Sequence, residues 1–324
     1  MSLPDLPPCS FPISLLALAL LVRATGSQPL YQICPPSSRN YTANSTYESN
    51  LNSLLSSLVA SGSTSGYYAN DVGDVPDTAY GVVLCRGDVD ANSCRTCLET
   101  AAKKVVEACP YRRNAVIWFD NCLMRYTEKW SFPSISGNSS IVYMWNTQNV
   151  TKTETSLFNE QLGKMMGSLA SYAAFNSAFT MFATGEAEFT AADPKIYGLV
   201  QCTTDQPANV CNGCLQGFIS QIPTYFVAKR GARILGTTCY FRYELYPFYN
   251  GSAKVTIPSP VPASAQSPSP APPPTSSIDP TTKGEKKKSG VGTAFAVAIP
   301  VVAVLVLISV ICICLWRRKA NKKI

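Results

Sequence analysis

The chain has 324 residues, 13 cysteines and a formal net charge of +7, from 27 Lys and Arg against 20 Asp and Glu. It contains no histidine. This excludes Ser-His-Asp and Cys-His nucleophiles, an imidazole general base and His-ligated metal sites. The length allows about two globular domains, each large enough for its own hydrophobic core.

The positive charge is concentrated towards the C-terminal end of the chain. Between Gln28 and Lys254 the charges balance, with 17 Lys and Arg against 17 Asp and Glu. The excess cations follow, at Lys283, Lys286, Lys287, Lys288, Arg317, Arg318, Lys319, Lys322 and Lys323. A neutral folded region argues against a nucleic-acid-binding surface, and basic runs beside an apolar stretch indicate a membrane.

The N-terminal segment predicts a signal peptide over residues 1–27. Its apolar stretch, Phe11 to Val22, is too short to span a bilayer of ~30 Å. The small residues Ala24, Thr25 and Gly26 follow, as is typical of a cleavage site. The alternative is a buried N-terminal helix.

The C-terminal part predicts a membrane anchor. Residues 291–315 carry no charge and are long enough to cross a bilayer. With the signal peptide, this predicts a single-pass type I protein whose cytoplasmic tail, 316–324, is too short for a kinase domain. Residues 251–290 contain a proline-rich run and predict a semi-rigid stalk.

Asparagines in N-x-Ser/Thr triplets all fall in the predicted extracellular part and predict surface glycosylation. They are Asn40, Asn44, Asn138, Asn149 and Asn250.

An internal repeat divides the folded part into two similar domains, 28–131 and 138–250. The segment 79–85 recurs as 196–202, an offset of 117 residues, and a C-x8-C-x2-C pattern recurs at the same offset. The first copy contains Cys34, Cys85, Cys94, Cys97, Cys109 and Cys122. The second copy contains Cys202, Cys211, Cys214 and Cys239.

Both cysteine counts are even, as expected for disulfide-bonded secreted domains. At the offset, Cys34 and Cys109 correspond to Thr151 and Phe226. The simplest interpretation is that Cys34 pairs with Cys109 and that the second domain lacks this bridge. Counting leaves the other pairings open. A four-cysteine zinc site and a thioredoxin-type redox pair in the C-x2-C motif are the alternatives.

Hydrophobic periodicity predicts two helices in each domain. Apolar residues recur at helical spacing around residues 51–58 and 158–169, and a second helix is expected near each C-x2-C. Strands are predicted at 116–119, 123–126, 141–145, 234–235 and 239–245. Helices and strands mix without βαβ alternation, so the fold class is α+β with antiparallel sheets.

Three sequence features indicate a family. They are the repeated C-x8-C-x2-C pattern, a Tyr-Gly pair shortly before the first cysteine of each such pattern, and the run 239–244 (CYFRYE). The chain resembles the tandem ginkbilobin-homologous (stress-antifungal) ectodomain of plant cysteine-rich receptor-like kinases. It is also similar in architecture to plasmodesmata-located proteins. The resemblance covers about residues 28–250 and does not extend to a kinase domain, so kinase activity is not implied.

The resemblance implies a five-stranded antiparallel sheet with two helices in each domain. It also implies a disulfide pattern at the matching positions. The implied pairs are Cys34–Cys109, Cys85–Cys94, Cys97–Cys122, Cys202–Cys211 and Cys214–Cys239.

The ginkbilobin-like relative binds mannose through an Asn after the first cysteine, an Arg six before the last cysteine and a Glu five after it. In the first copy these positions hold Pro35, Val116 and Thr127, so the site is not expected there. In the second copy they hold Arg233 and Glu244, with Lys152 at the Asn position on an ungapped offset and Asn149 nearby. A structural salt bridge between Arg233 and Glu244 is the alternative.

We therefore expect a non-enzymatic recognition protein without a cofactor. It would be in the plasma membrane with its ectodomain in the apoplast, or at plasmodesmata. Its partner would be an extracellular ligand, such as a mannose-type glycan, or another receptor ectodomain, and the protein would act as co-receptor, decoy or adaptor in stress or defence. The alternatives are a mannose-binding antifungal lectin and a truncated receptor-like serine/threonine kinase.

Overall fold

The computed structural model describes residues 28–129, 141–177, 180–189 and 195–260. Within these residues each repeat forms an α+β domain, as the sequence predicts. The first domain contains β1 (Tyr31–Ile33), α1 (Thr46–Ser65), β2 (Tyr67–Val72), β3 (Ala79–Cys85), α2 (Ala91–Ala108), β4 (Ala115–Trp118) and β5 (Cys122–Thr127). Its strands form an antiparallel sheet in the order β1-β4-β5-β3-β2.

The second domain repeats this arrangement with additions. It contains β6 (Val142–Trp145), α3 (Thr155–Phe175), β7 (Phe182–Ala187), β8 (Ile196–Cys202), α4 (Ala208–Ile219), α5 (Ile222–Tyr225), β9 (Gly231–Leu235), β10 (Cys239–Glu244) and β11 (Val255–Ile257). The described strands form a six-stranded sheet in the order β11-β7-β8-β10-β9-β6. The five antiparallel strands that the resemblance implies are present, and β11 adds a sixth strand, parallel to β7, that the resemblance does not predict.

Local sequence determines where the first-domain helices begin and end. Ser45 caps α1 by accepting a hydrogen bond from the backbone N–H of Glu48, and Gly66 ends it in the left-handed conformation with φ of 76°. Asp90 caps α2 through the N–H groups of Asn92 and Ser93. The leucines of α1 that show helical spacing, Leu51, Leu54, Leu55 and Leu58, are buried.

The two faces of each sheet pack against different parts of the protein. In each domain the inner face packs against the helices and forms the domain's own core. The outer faces pack against each other, in a cluster that joins Leu84, Val116, Trp118 and Leu123 of the first domain to Leu235 of the second. The indole N–H of Trp118 also donates to the carbonyl of Gly236 at 3.0 Å, across the interface.

Five disulfides form within the described residues, and they are the pairs that the resemblance implies. In each domain one bridge ties the start of the second large helix to a neighbouring strand, and another ties the same helix to the strand beside it. The pairs are Cys34–Cys109, Cys85–Cys94, Cys97–Cys122, Cys202–Cys211 and Cys214–Cys239.

An aromatic contact in the second domain occupies the place of the Cys34–Cys109 bridge. Ile33 lies opposite Val116 in the first sheet, and Met144 lies opposite Arg233 in the second. Strands β1 and β6 therefore correspond at an offset of 111 residues (144 minus 33). Cys34 then corresponds to Trp145, and the rings of Trp145 and Phe226 are 6.1 Å apart.

The second domain extends beyond residue 250, where the sequence predicted the stalk to begin. Strand β11 pairs with β7, and Val255 and Ile257 pack against the core. The buried side chain of Gln161 on α3 donates hydrogen bonds to the carbonyls of Glu188 (2.7 Å) and Pro258 (2.8 Å). The start of the predicted stalk is thus part of the fold.

We expect Gln161→Ala to destabilise the second domain by about 1–3 kcal/mol, since it leaves two backbone carbonyls without their donor. Urea unfolding of the variant and of Lys164→Ala, an exposed position on the same helix, measures the difference. Equal stability of the two variants would show that Gln161 does not hold residues 251–260 to the domain.

No helix within the described residues is long and apolar enough to cross a membrane. The predicted signal peptide (1–27), membrane span (291–315) and cytoplasmic tail (316–324) lie outside those residues, as does Asn138.

Candidate functional site

A cluster of charged side chains lies at the domain interface, centred on Asp120 in the turn between β4 and β5. Its Oδ1 accepts hydrogen bonds from Arg233 (2.8 Å) and Arg242 (3.1 Å) of the second domain. Its Oδ2 accepts one from Arg86 (3.1 Å) of its own domain. One carboxylate therefore binds three guanidinium groups, two of them from the other domain.

Glu244 completes the cluster on the second-domain side. Its Oε1 accepts a hydrogen bond from Nε of Arg242 at 3.1 Å and lies 3.9 Å from Nη2 of Arg233. The guanidinium of Arg242 also lies over the ring of Phe248, 4.0 Å from its centroid. Arg233 and Glu244, predicted from the family pattern, are thus brought together on neighbouring strands, and both also have other charged partners.

The arginines control the ionisation of Asp120. Burial by itself raises the pKa of this carboxyl, but the positive charges of Arg242, Arg233 and Arg86 outweigh burial and lower it below its usual value. Asp120 is therefore charged at neutral pH and favours the folded, domain-paired state.

This predicts an acid-sensitive contribution to stability. Because the folded-state pKa is lowered, Asp120 stabilises the fold above its unfolded pKa of about 3.9, and the contribution is lost as pH falls through the lower folded pKa. Urea unfolding of the unchanged protein and of Asp120→Asn from pH 3 to pH 7 should show a stability difference that is constant above about pH 5 and shrinks below about pH 4. A difference independent of pH would contradict the assignment.

The sheet register identifies a residue that sequence comparison missed. At the offset of 111 residues between β1 and β6, Pro35 corresponds to Asn146 rather than to Asn149 or Lys152. The backbone N–H of Asn146 donates to the carbonyl of Gly231 at 2.8 Å, and Gly231 pairs directly with Glu244. Asn146 follows Met144 by two residues, so strand alternation puts it on the same sheet face as Arg233.

Gly231 allows the carboxylate of Glu244 to lie across the sheet towards Asn146. A Cβ at position 231 would overlap Oε2 of Glu244. The equivalent residue in the first domain is Asn114, which carries a side chain. The second domain therefore has an Arg and a Glu on neighbouring strands and an Asn directly after the adjacent strand β6, and the first does not.

Asn149 lies apart from this group. It forms an isolated bridge with Lys229, which precedes Arg233 by four residues, or about 13 Å of strand. Its side chain is exposed, as are those of the other described glycosylation candidates, Asn40, Asn44 and Asn250. The backbone N–H of Asn250 also donates to Asp88 of the first domain at 2.8 Å.

A second feature is an open slot beside strands β1 and β6, each of which has a single neighbouring strand within the described sheets. The slot has a volume of about 540 Å³ and takes residues from both domains. Tyr31, Trp145 and Tyr225 line it and are each roughly half exposed. Tyr225 stacks on Tyr143 with the ring centroids 4.7 Å apart.

Comparison with known proteins places these features in a family. The family described as salt stress response/antifungal matches residues 33–129 and 145–246. The cysteine-rich repeat secretory protein 38 of Arabidopsis thaliana is 36% identical over 74% of this chain and 95% of its own length. The antimicrobial ginkbilobin-2-like protein of Castanea crenata is 40% identical over 73% of this chain and 95% of its own length.

A receptor kinase and two solved ectodomains are also similar. The cysteine-rich receptor-like protein kinase 25 of Arabidopsis thaliana is 40% identical over 72% of this chain, which spans 35% of the kinase. The tandem DUF26 ectodomain of the Arabidopsis thaliana cysteine-rich receptor-like protein PDLP5 matches with a TM-score of 0.55 and 26% identity, over 67% of this chain and 98% of its own. That of PDLP8 has the same fold, with a TM-score of 0.56, 22% identity and coverage of 67% and 97%. The chain belongs to the salt stress response/antifungal (DUF26) family and carries two tandem copies of its domain.

Proposed function

We propose that the protein is a non-enzymatic recognition protein at the cell surface, anchored by a single membrane span. It binds a partner ectodomain or an extracellular ligand, as a co-receptor, decoy or plasmodesmatal-type adaptor in stress or defence responses. Similarity to the ectodomains of a receptor kinase and of PDLP5 supports this role. The observation that carries it is the slot that both domains build together.

The chemistry of the slot suits protein recognition. Exposed tyrosine and tryptophan side chains supply large contact areas and are typical centres of binding energy in protein interfaces. None of the nine residues that line the slot carries a formal charge, which favours an uncharged partner surface. The lining residues lie in or directly beside β1, β6 and α5, so a partner bound there contacts both domains.

The test is affinity capture with the glycosylated ectodomain, followed by identification of the bound ectodomains. The double variant Trp145→Ala, Tyr225→Ala should lose a partner that the unchanged protein retains. Phe175→Ala, which removes an aromatic ring exposed elsewhere on the second domain, should retain it. Equal capture by all three proteins would rule out the slot as the recognition surface.

A second candidate function is recognition of a mannose-type glycan. The observation that favours it is the group formed by Asn146, Arg233 and Glu244, which combines the residue types that the family uses for mannose. An amide, a guanidinium and a carboxylate offer both donors and acceptors to sugar hydroxyls, with charge-assisted hydrogen bonds from the two charged groups.

The test is a titration of the full chain with mannose, in which binding is measured by calorimetry. Asn146→Ala should weaken binding by about tenfold, the loss expected for one hydrogen bond. Asn149→Gln should leave binding unchanged. Loss of binding in the Asn149 variant alone would reject this site. So would a lack of mannose binding both in the unchanged protein and in a variant without the Asp120 carboxylate that holds Arg233.

A further inference from the structure

The guanidinium of Arg233 is already occupied by a carboxylate from the other domain. Nη1 of Arg233 donates to Oδ1 of Asp120 at 2.8 Å, whereas its approach to Glu244, the neighbour in its own domain, is 3.9 Å. Asp120 is held in this position from two further directions, by Arg242 and by Arg86, each at 3.1 Å. The carboxylate therefore sits where an outside ligand would meet Arg233.

The exposed fractions show which side chain faces the solvent. The side chain of Asp120 is 49% exposed, whereas those of Arg233 and Glu244 are 15% and 9% exposed. A ligand that approaches from solvent thus meets Asp120 before it reaches the arginine or the glutamate.

We propose that Asp120 of the first domain closes the Arg233–Glu244 pair of the second domain to outside ligands. Glycan recognition at this pair then depends on the state of the domain interface. The proposal rests on the glycan site proposed above, and it assigns to Asp120 the role of an autoinhibitory contact.

Asp120 and a sugar hydroxyl compete for Arg233, and the competition favours Asp120. Hydrogen bonds between ionised partners are roughly twice as strong as those between neutral groups. A sugar hydroxyl is neutral, so it competes poorly with a carboxylate that three arginines hold, and mannose binding is weak while Asp120 is in place. A ligand gains access to Arg233 when Asp120 is withdrawn, neutralised or replaced.

Only the first domain supplies a closing carboxylate, and only the second domain has a site for it to close. The residue that corresponds to Asp120 in the second domain is Thr237, and the residue that corresponds to Arg233 in the first is Val116. The first domain therefore contributes the carboxylate and the second contributes the site.

The experiment measures the accessibility of Arg233 directly and mannose binding separately, both on the full chain. Phenylglyoxal, which reacts with free guanidinium groups, is applied to the folded protein, and the modified arginines are identified by peptide mass spectrometry. Asp120→Ala should increase the rate of modification at Arg233 by about ten- to hundredfold, the change expected when a charge-assisted hydrogen bond is lost. Mannose affinity should rise by a similar factor.

Two further variants keep the result interpretable. Asp120→Asn keeps the size of the side chain and removes its charge, and it serves where the alanine variant fails to fold. Asp77→Ala is the matched control, because it removes a carboxylate that pairs with a different arginine, Arg113, at 2.7 Å. The control should leave Arg233 unreactive and mannose binding unchanged.

The outcomes separate the closure from the glycan function. An unchanged rate of Arg233 modification in both Asp120 variants overturns the closure. Mannose binding that depends on Asn146 and is equal with and without Asp120 also overturns it, and leaves the glycan site standing. A reactive Arg233 without mannose binding supports the closure and removes mannose as the ligand.

Discussion

A Trp118→Ala variant should unfold in two separate thermal transitions, whereas the unchanged protein should unfold in one. Trp118 is 3% exposed at the centre of the contact between the sheets, and its loss should cost about 3–5 kcal/mol. It also leaves the carbonyl of Gly236 without its donor across the interface. Each domain keeps its own core and disulfides, so we expect both to remain folded and to melt independently.

Differential scanning calorimetry measures this outcome. The control is Tyr31→Ala, which removes a half-exposed aromatic ring from the neighbouring strand β1 and should preserve the single transition. A single transition at an unchanged temperature in the Trp118 variant would show that the outer-face contact does not couple the domains.

Phe226→Ala should destabilise the second domain by about 3–5 kcal/mol, the usual cost of a deeply buried ring. Phe226 is fully buried, and its ring lies 6.1 Å from Trp145 and 6.2 Å from Tyr143. Urea unfolding of the variant measures the loss. Phe175→Ala, an exposed phenylalanine in the same domain, is the control and should change stability by less than about 0.5 kcal/mol.

The same contact predicts that a disulfide can be engineered in the second domain. Trp145 and Phe226 correspond to Cys34 and Cys109, whose Cα atoms are 5.5 Å apart. The double variant Trp145→Cys, Phe226→Cys should therefore form a bridge, detected by thiol labelling and mass spectrometry of the unreduced protein. Two free thiols in the folded variant would show that the correspondence between β1 and β6 is wrong.

The sequence predicts the fold class and the repeat because cysteines and helix-spaced leucines mark positions that the core requires. It also predicts that Cys34 and Cys109 belong together, because a bridge that is lost removes both partners at once. The residues that replace this bridge in the second domain cannot be identified from the cysteine positions. The ungapped offset pairs Cys34 with Thr151, whereas the structure puts Trp145 in its place.

The domain interface was not predictable from the sequence. Alternating apolar residues in a strand show that one face is buried, but they do not show what covers the other face. Arg233 and Glu244 were found from the family pattern, while Asp120 comes from the other repeat and has no counterpart in that pattern. Asn146 was missed because the second copy contains six more residues than the first between its first and third strands (117 minus 111).

The aromatic contact that replaces one disulfide has a consequence for oxidative folding of the two domains. The six cysteines of the first domain must form the correct three pairs, and the longest of these bridges joins cysteines 75 residues apart. The second domain has four thiols, which allow about fivefold fewer pairings within a domain, and its bridges join cysteines 9 and 25 residues apart. Mispaired cysteines should therefore accumulate mainly in the first repeat, and its maturation should depend more strongly on disulfide isomerase.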